Sequence, residues 1–181
     1  MTGKSELAES TWIPGDRAWL QDAEHVWLPG VLEGVSRGKA TFRLSSPAIP
    51  GFTTDSKSRT VTVDEQRLSE LDQVEPAQLE GVEDICALSA VQQASMLHTV
   101  RVRYFKQLIY TRVGRILMVV NPFKPLPIYS TEYVDQYRSV VDSTSLTPHI
   151  YGLGHDTLRG LRLGAVQNHV VLISGESGAG K

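Results

Sequence analysis

The chain has 181 residues, 41% of them hydrophobic, and a formal net charge of −2. That length accommodates one ordinary domain or two small ones with a buried core, and the near-balanced charge argues against a dominant polyanion-binding surface. A single cysteine, Cys86, excludes an internal disulfide and fits a reducing compartment; no apolar signal core opens the sequence, and the longest apolar run, Ile116 to Val120, is far too short to span a membrane, so a soluble, cytosolic protein is expected.

Residues 1–11 read as a disordered, polar start. From Trp12 to about residue 65 turn signals are dense: Pro14-Gly15, Pro29-Gly30, Gly34, Gly38 and Pro50-Gly51 separate the short apolar runs Ala18 to Leu20, His25 to Trp27, Val31 to Val35, Ala40 to Leu44 and Thr60 to Val63. Phe42 and Leu44 alternate with Thr41 and Arg43, the period of a half-buried strand, and Ser36-Arg37-Gly38-Lys39 suits a hairpin turn. Short strands with frequent turns predict a small all-β barrel over 12–65. Its aromatics, Trp12, Trp19 and Trp27, suit core packing, with a ligand groove as the alternative. Ser45 to Ser58 reads as an exposed loop, and residues 66–81, acidic and poor in apolar residues, as a connector.

Residues 82–181 predict a mixture of helices and strands. Glu83-Asp84 precede a helical pattern through Leu88, Val91, Ala94, Leu97 and Arg101 toward Tyr104. Arg101, Arg103 and Lys106 interleave with Tyr104 and Phe105. With this net charge they suit a solvated helix end better than a nucleic-acid surface. Leu108 to Val113 and Arg115 to Val120 form a predicted hairpin around Gly114, ended by Asn121-Pro122. A short helix is expected over Thr131 to Tyr137. Thr147-Pro148 reads as an N-cap and first position of another, with Ile150, Leu153, Thr157, Leu158 and Leu161 on one face. Gly164 to Gln167 is an expected loop. The five histidines make no metal-binding spacing, and His169 suits a structural role.

Two stretches carry chemistry. Val170-Val171-Leu172-Ile173-Ser174 has the composition of a buried strand, and Gly175-Glu176-Ser177-Gly178-Ala179-Gly180-Lys181 follows it as G-x-x-x-x-G-K, the phosphate-binding loop. That short pattern arises by chance in roughly one chain in twenty of this length, so the apolar run before it carries the assignment. Glycines let several backbone N–H groups converge on an anion, and a lysine meets the outer phosphates. Glu176 reads as a loop-shaping residue rather than a base. The Mg²⁺-binding hydroxyl of the pattern is expected after Lys181, and no catalytic nucleophile–base arrangement and no metal-ligand set is visible. The second stretch is Asn121-Pro122-Phe123-Lys124-Pro125-Leu126-Pro127-Ile128-Tyr129. Its prolines and rings make a stiff loop able to stack on a flat base, with Asn121 offering an amide to the base edge. An ordinary rigid loop and a P-x-x-P ligand are the alternatives.

Taken together, these stretches resemble the N-terminal part of a myosin motor domain. "GESGAGK" at Gly175 to Lys181 is similar to that family's phosphate loop, and "NPFKPLPIY" at Asn121 to Tyr129 to its purine-side loop. "LHTVRVRYFKQLIYTRVGRILMVVNPFK", from Leu97 to Lys124, is similar to the helix and hairpin before that loop, and "VEDICALSAVQQASMLH", from Val82 to His98, extends the likeness. "DRAWLQDAEHVWLPGVL", from Asp16 to Leu32, resembles the SH3-like barrel at the start of many myosins. The resemblance implies an α/β P-loop NTPase core, incomplete within these residues, preceded by an SH3-like barrel. It implies ATP and Mg²⁺ as ligands, with Gly175, Glu176, Ser177, Gly178, Ala179, Gly180 and Lys181 around the phosphates and Asn121, Pro122, Phe123, Lys124 and Tyr129 near the adenine. The hairpin and the strand at Val170 to Ser174 would join a central twisted sheet, left here with an exposed edge. For the full-length protein it implies actin and light chains as partners, a cytoskeletal location and ATP-driven movement; the 181 residues alone are expected to be inactive. Another P-loop NTPase, or an interaction module built on the barrel, is the alternative.

Overall fold

The computed structural model describes residues 12–45, 59–164 and 168–180. The expected polar start, most of the Ser45–Ser58 loop, residues 165–167 and Lys181 lie outside them. The chain divides into two compact units, Met1–Leu79 and Glu80–Lys181.

The first unit is a curled antiparallel sheet in the order β1 (Arg17–Asp22), β2 (Val26–Ser36), β3 (Lys39–Leu44) and β4 (Thr60–Asp64). The predicted turn joins β2 to β3: Ser36 pairs with Lys39, and Arg37 and Gly38 take φ values of 53° and 72°. Two consecutive positive φ values define the turn whose twist matches a hairpin. Alternation along the strands turns Ala18, Leu20, Leu32, Ala40 and Phe42 into one core, with Leu68 added and Trp12, Leu44, Val61, Val63 and Leu71 packed against it. Trp12 meets Phe42 edge-on with ring centroids 6.0 Å apart. These residues fit the barrel-like subdomain expected at the start of the chain.

Pro29-Gly30 does not separate two runs, as its turn composition predicts; β2 passes straight through it. Pro29 pairs with Trp19, whose N–H points the other way, to the carbonyl of Asp72. Pro29's own missing donor faces the side where β3 has already ended at Leu44, and its carbonyl accepts from Ser45. The proline therefore costs only the last bond of the β2–β3 ladder, the one that would return to Ser45. Gly30 is needed for space: a Cβ there would stand 2.5 Å from Leu20 Cδ1. The segment read as a connector packs on this sheet. A 3₁₀ turn at Glu65–Glu70 buries Leu68, the Val74 N–H bonds the Arg17 carbonyl at the free edge of β1, and Trp19 Nε1 donates to the buried Gln78 Oε1 at 3.0 Å. Gln78 belongs to a short helix, α1 (Pro76–Glu80).

In the second unit α2 (Gln93–Phe105) is followed by the predicted hairpin, β5 (Tyr110–Val113) with β6 (Ile116–Val119), then α3 (Thr131–Ser139) and α4 (Ile150–Arg162). α2 starts later than the apolar spacing from Leu88 implied, because Ile85–Ala87 forms its own 3₁₀ turn capped by Asp84. Arg103 is not at a solvated helix end. It is 3% exposed and donates from Nε and Nη2 to the Tyr110 carbonyl and from Nε to Thr111 Oγ1, tying α2 to β5. α4 begins after His149 rather than Thr147. The carbonyl of Thr147 accepts from the Tyr137 hydroxyl at 2.6 Å, and the His149 ring takes the cap.

The buried strand expected over Val170 to Ser174 is not formed. These residues pair with no strand, and Val170, Leu172 and Ile173 are 89%, 88% and 70% exposed. Among the described residues the hairpin is a two-stranded sheet by itself, so the expected α/β P-loop core is not assembled among them. The physical reason is a shortage of neighbours: a strand apolar on both faces needs strands beside it and layers above and below, and the described residues supply neither. Just before it, the His169 ring lies so near Gly160 that a Cβ there would be 2.5 Å from it.

Candidate functional site

The phosphate-loop residues and the Asn121 loop both belong to the second unit, and they meet. Asn121 Nδ2 donates to the carbonyl of Gly178 at 2.9 Å. The other end of the same amide, Oδ1, accepts the N–H of Phe123 at 2.9 Å, which turns the chain out of β6. Asn121 thus shapes its own loop and holds the second one. An added Cβ on Gly180 would lie 3.3 Å from Asn121 Cβ and Cγ, so glycine permits this approach.

The loop itself is built on left-handed glycines. Gly178 and Gly180 have φ values of 83° and 85°, and the Ala179 N–H closes a turn onto the Glu176 carbonyl at 3.2 Å. Side-chain-free residues are the ones that tolerate this backbone. A Cβ on Gly178 would meet nothing within 4 Å, so the space before it is open. Ser177 and Glu176 are exposed. Lys181 lies outside the described residues.

The five adenine-side candidates are not gathered into one pocket. Asn121 touches the phosphate loop. Pro122 and Lys124 instead line an open cleft of about 270 Å³ with Tyr104, Phe105, Ile109 and Leu126, at the C-terminal end of α2. Phe123 is 82% exposed and has a φ of 51°, an unfavourable setting for a bulky side chain. Tyr129 lies at the far end of the segment, against α3 and α4. Its hydroxyl bonds that of Tyr110 at 2.8 Å, and its carbonyl accepts from the Tyr151 hydroxyl at 3.2 Å. Burial and the bond to Tyr129 push the Tyr110 phenol well above its ordinary pKa, so it stays protonated.

One residue that sequence reasoning passed over sits at the centre of this end. His149 is 5% exposed and is ringed by Tyr110, Tyr129, Tyr133, Tyr137 and Tyr151, with centroid distances from 4.6 to 5.7 Å. The spacing of the five histidines excludes only a metal pattern; the signal that could have found His149 is a polar residue directly after Thr147-Pro148 and directly before a helical run. No cluster of three or more His, Cys, Asp or Glu side chains suited to a metal occurs among the described residues.

Comparison with known proteins follows the same stretches. The myosin head (motor domain) family matches residues 82–181. The chain is 32% identical over 166 residues to "Myosin-2" of Arabidopsis thaliana, covering 91% of this chain and 12% of that protein. It is 34% identical over 159 residues to "High molecular weight form of myosin-1" of Acanthamoeba castellanii, covering 88% of this chain and 10% of that one. It is 43% identical over 101 residues to "Unconventional myosin-Ia" of Bos taurus, covering 56% of this chain and 10% of that one. The chain thus spans about a tenth of the length of the curated relatives it matches.

Proposed function

The chain belongs to the myosin head (motor domain) family, and from that premise we propose that its second unit supplies part of the ATP site of an actin-based motor. Gly175, Glu176, Ser177, Gly178, Ala179, Gly180 and Lys181 wrap the phosphates, with Lys181 on the outer ones. Asn121, Pro122, Phe123, Lys124 and Tyr129 form the adenine side. The observation that carries this reading is the hydrogen bond from Asn121 to Gly178, 2.9 Å long, which joins two segments 57 residues apart. The left-handed glycines and the open space before Gly178 are suited to a polyphosphate, which needs close approach of the backbone.

In the family the Mg²⁺-binding hydroxyl follows the lysine, and bound Mg²⁺ neutralises charge on the transferred phosphoryl group. The contribution of the residues named here is to bind and orient the nucleotide. The complete protein hydrolyses ATP, moves on actin with light chains bound, and works in the cytoplasm on the cytoskeleton. The first unit, 12–65 with the segment after it, is a barrel-like subdomain preceding the motor core, which starts near Val82.

The test is ATP turnover by the complete protein carrying Lys181→Ala or Asn121→Ala. Lys181→Ala is expected to abolish actin-activated turnover, and Asn121→Ala to raise the KM for ATP about tenfold, the effect of losing about 1.4 kcal/mol of binding. Wild-type turnover and KM in both variants would sink the assignment.

A further inference from the structure

The aromatic cluster around His149 is unlike the rest of the second unit. Its five tyrosines come from four places: Tyr110 on β5, Tyr129 at the end of the Asn121 segment, Tyr133 and Tyr137 on α3, and Tyr151 on α4. Tyr133 and Tyr137 lie nearly parallel to the imidazole, at interplanar angles of 25° and 26°. The ring therefore sits where the loop and both helices converge.

Its hydrogen bonding fixes its protonation state. His149 Nδ1 accepts the Tyr151 N–H at 3.1 Å, which makes His149 the N-cap of α4. A nitrogen that accepts carries no proton, so the ring is the neutral tautomer protonated at Nε2. Nε2 is buried and makes no hydrogen bond of ordinary geometry, although the Ile128 backbone lies near enough to oppose the burial in part. Protonating Nδ1 would set two N–H groups against each other and leave the first turn of α4 without its cap. It would also put a positive charge at the positive end of the helix dipole. Burial acts in the same direction, holding the imidazole pKa below its ordinary value.

Consequences of that proton run directly to the loop. Tyr151, whose N–H the ring accepts, uses its hydroxyl to hold the carbonyl of Tyr129. The ring itself packs on Tyr129, with centroids 5.6 Å apart. We propose that neutral His149 is a latch that positions the Tyr129 end of the Asn121 segment, and that its protonation releases that end. The link from Tyr129 to nucleotide rests on the ATP-site reading above; the latch itself does not.

No charged side chain competes for the ring among the described interactions. Arg112 on β5 is occupied by the carbonyls of Ser143 and Leu146, Arg138 on α3 faces Asp135, and Asp156 on α4 accepts from Ser143. The other titratable groups facing the ring are the five tyrosine phenols, of which Tyr110 is held protonated by burial and its bond to Tyr129.

The sign follows. A group whose folded pKa is depressed contributes order above its ordinary value of about 6.5 and loses it as pH falls through the folded value. The experiment is a pH titration of the 181-residue chain from 7.5 to 5, with ring-labelled tyrosine and histidine followed by NMR. Tyr129 and His149 resonances are assigned by Tyr129→Phe and His149→Asn. Asparagine keeps an acceptor for the Tyr151 N–H but does not titrate. The expected result is one transition below pH 6.5, with the same midpoint for His149 and Tyr129, and a flat Tyr129 in His149→Asn. Different midpoints in the wild-type chain, or a Tyr129 that does not move, would overturn the latch; both are read on the wild-type chain, with the variants needed only for assignment. An unchanged Tyr129 transition in a folded His149→Asn would overturn it too. If ATP turnover ignores Lys181→Ala and Asn121→Ala, the ATP reading fails while the Tyr129 titration still decides the latch. If both readings hold, the KM of the complete protein for ATP rises as pH falls through the same midpoint, and stays level in His149→Asn.

Discussion

Phe42 in the first unit is 0% exposed, and Leu172 in the second is 88% exposed, although both stand in sequence patterns of buried strands. The difference lies in what surrounds them. The first unit covers its apolar face with its own residues: β1 to β4 curl over it, Leu68 adds to it from the next turn, and residues 72–74 pair with the open edge of β1. The second unit packs α2 on β5 and the two later helices around His149, but leaves other apolar surface bare. Val170 to Ile173, Ile116 and Val119 of β6, and Leu158 and Leu161 of α4 are all exposed. A curled meander is satisfied by neighbours adjacent in sequence, whereas a parallel core strand depends on segments far along the chain. The same local composition therefore gives a buried strand in one unit and a bare one in the other.

The sharpest way to break the first half of this contrast is Phe42→Ala. Emptying a fully buried phenylalanine site costs about 3–5 kcal/mol, as much as a core this small usually supplies in total. All three tryptophans, Trp12, Trp19 and Trp27, belong to this unit, so their fluorescence reports on it selectively. The variant is expected to show denatured tryptophan emission in buffer without urea. A cooperative urea transition at the wild-type midpoint would show that the core is not what closes the unit.

Sequence patterns exposed the meander, the Arg37-Gly38 turn, the β5–β6 hairpin and the helices at α2, α3 and α4, because each rests on periodicity and turn chemistry within a few residues. The family resemblance, rather than periodicity, set Asn121 beside the glycine-rich loop, and Asn121 does contact Gly178. What the patterns missed depends on long-range company. Pro29 looks like a breaker until the end of β3 at Leu44 shows that only the last bond of the ladder falls on it. Arg103 looks like surface until the Tyr110 carbonyl turns up beside it. His149 looks inert until tyrosines from β5, α3, α4 and the Asn121 segment are folded around it. The identities of those partners are in the sequence, but their convergence is a property of the packing.

A smaller effect tests how the second unit holds together where it does close. Asp84 Oδ1 accepts the N–H of Gly114, at the tip of the β5–β6 hairpin, and that of Cys86, at 3.1 and 2.9 Å. The Gly114 bond is the main reason its carboxyl is held below the ordinary value, with burial opposing it and Cys86 and Arg112 assisting. A depressed carboxyl contributes stability above its unfolded value of about 3.9 and loses it as pH falls through the folded one. Protection of the Gly114 amide from hydrogen exchange is therefore expected to be constant from pH 7 to 5 and to drop below about pH 4. Asp84→Ala should cost about 1 kcal/mol, as for a lost cap, and remove the acid dependence. An acid drop that persists unchanged in the variant would place its origin in another carboxylate.

The smallest expected effect is the most discriminating. Leu172→Ser removes an apolar side chain that water already reaches, so the 181-residue chain should change in stability by less than about 0.5 kcal/mol. Had Val170 to Ser174 been a core strand in this chain, the same change would cost at least the 2–5 kcal/mol of emptying a buried leucine site. The two outcomes differ enough for a urea melt to separate them. Repeating the substitution in the complete protein turns the comparison round. If segments further along cover this strand, as the proposed motor core requires, the cost there rises into the larger range and the bare surface of the second unit is an interface awaiting its own chain. If the cost stays near zero in both, the apolar run before the phosphate loop is not a core strand in either setting, and the reading of Gly175 to Lys181 as a phosphate cradle loses the support of its expected strand.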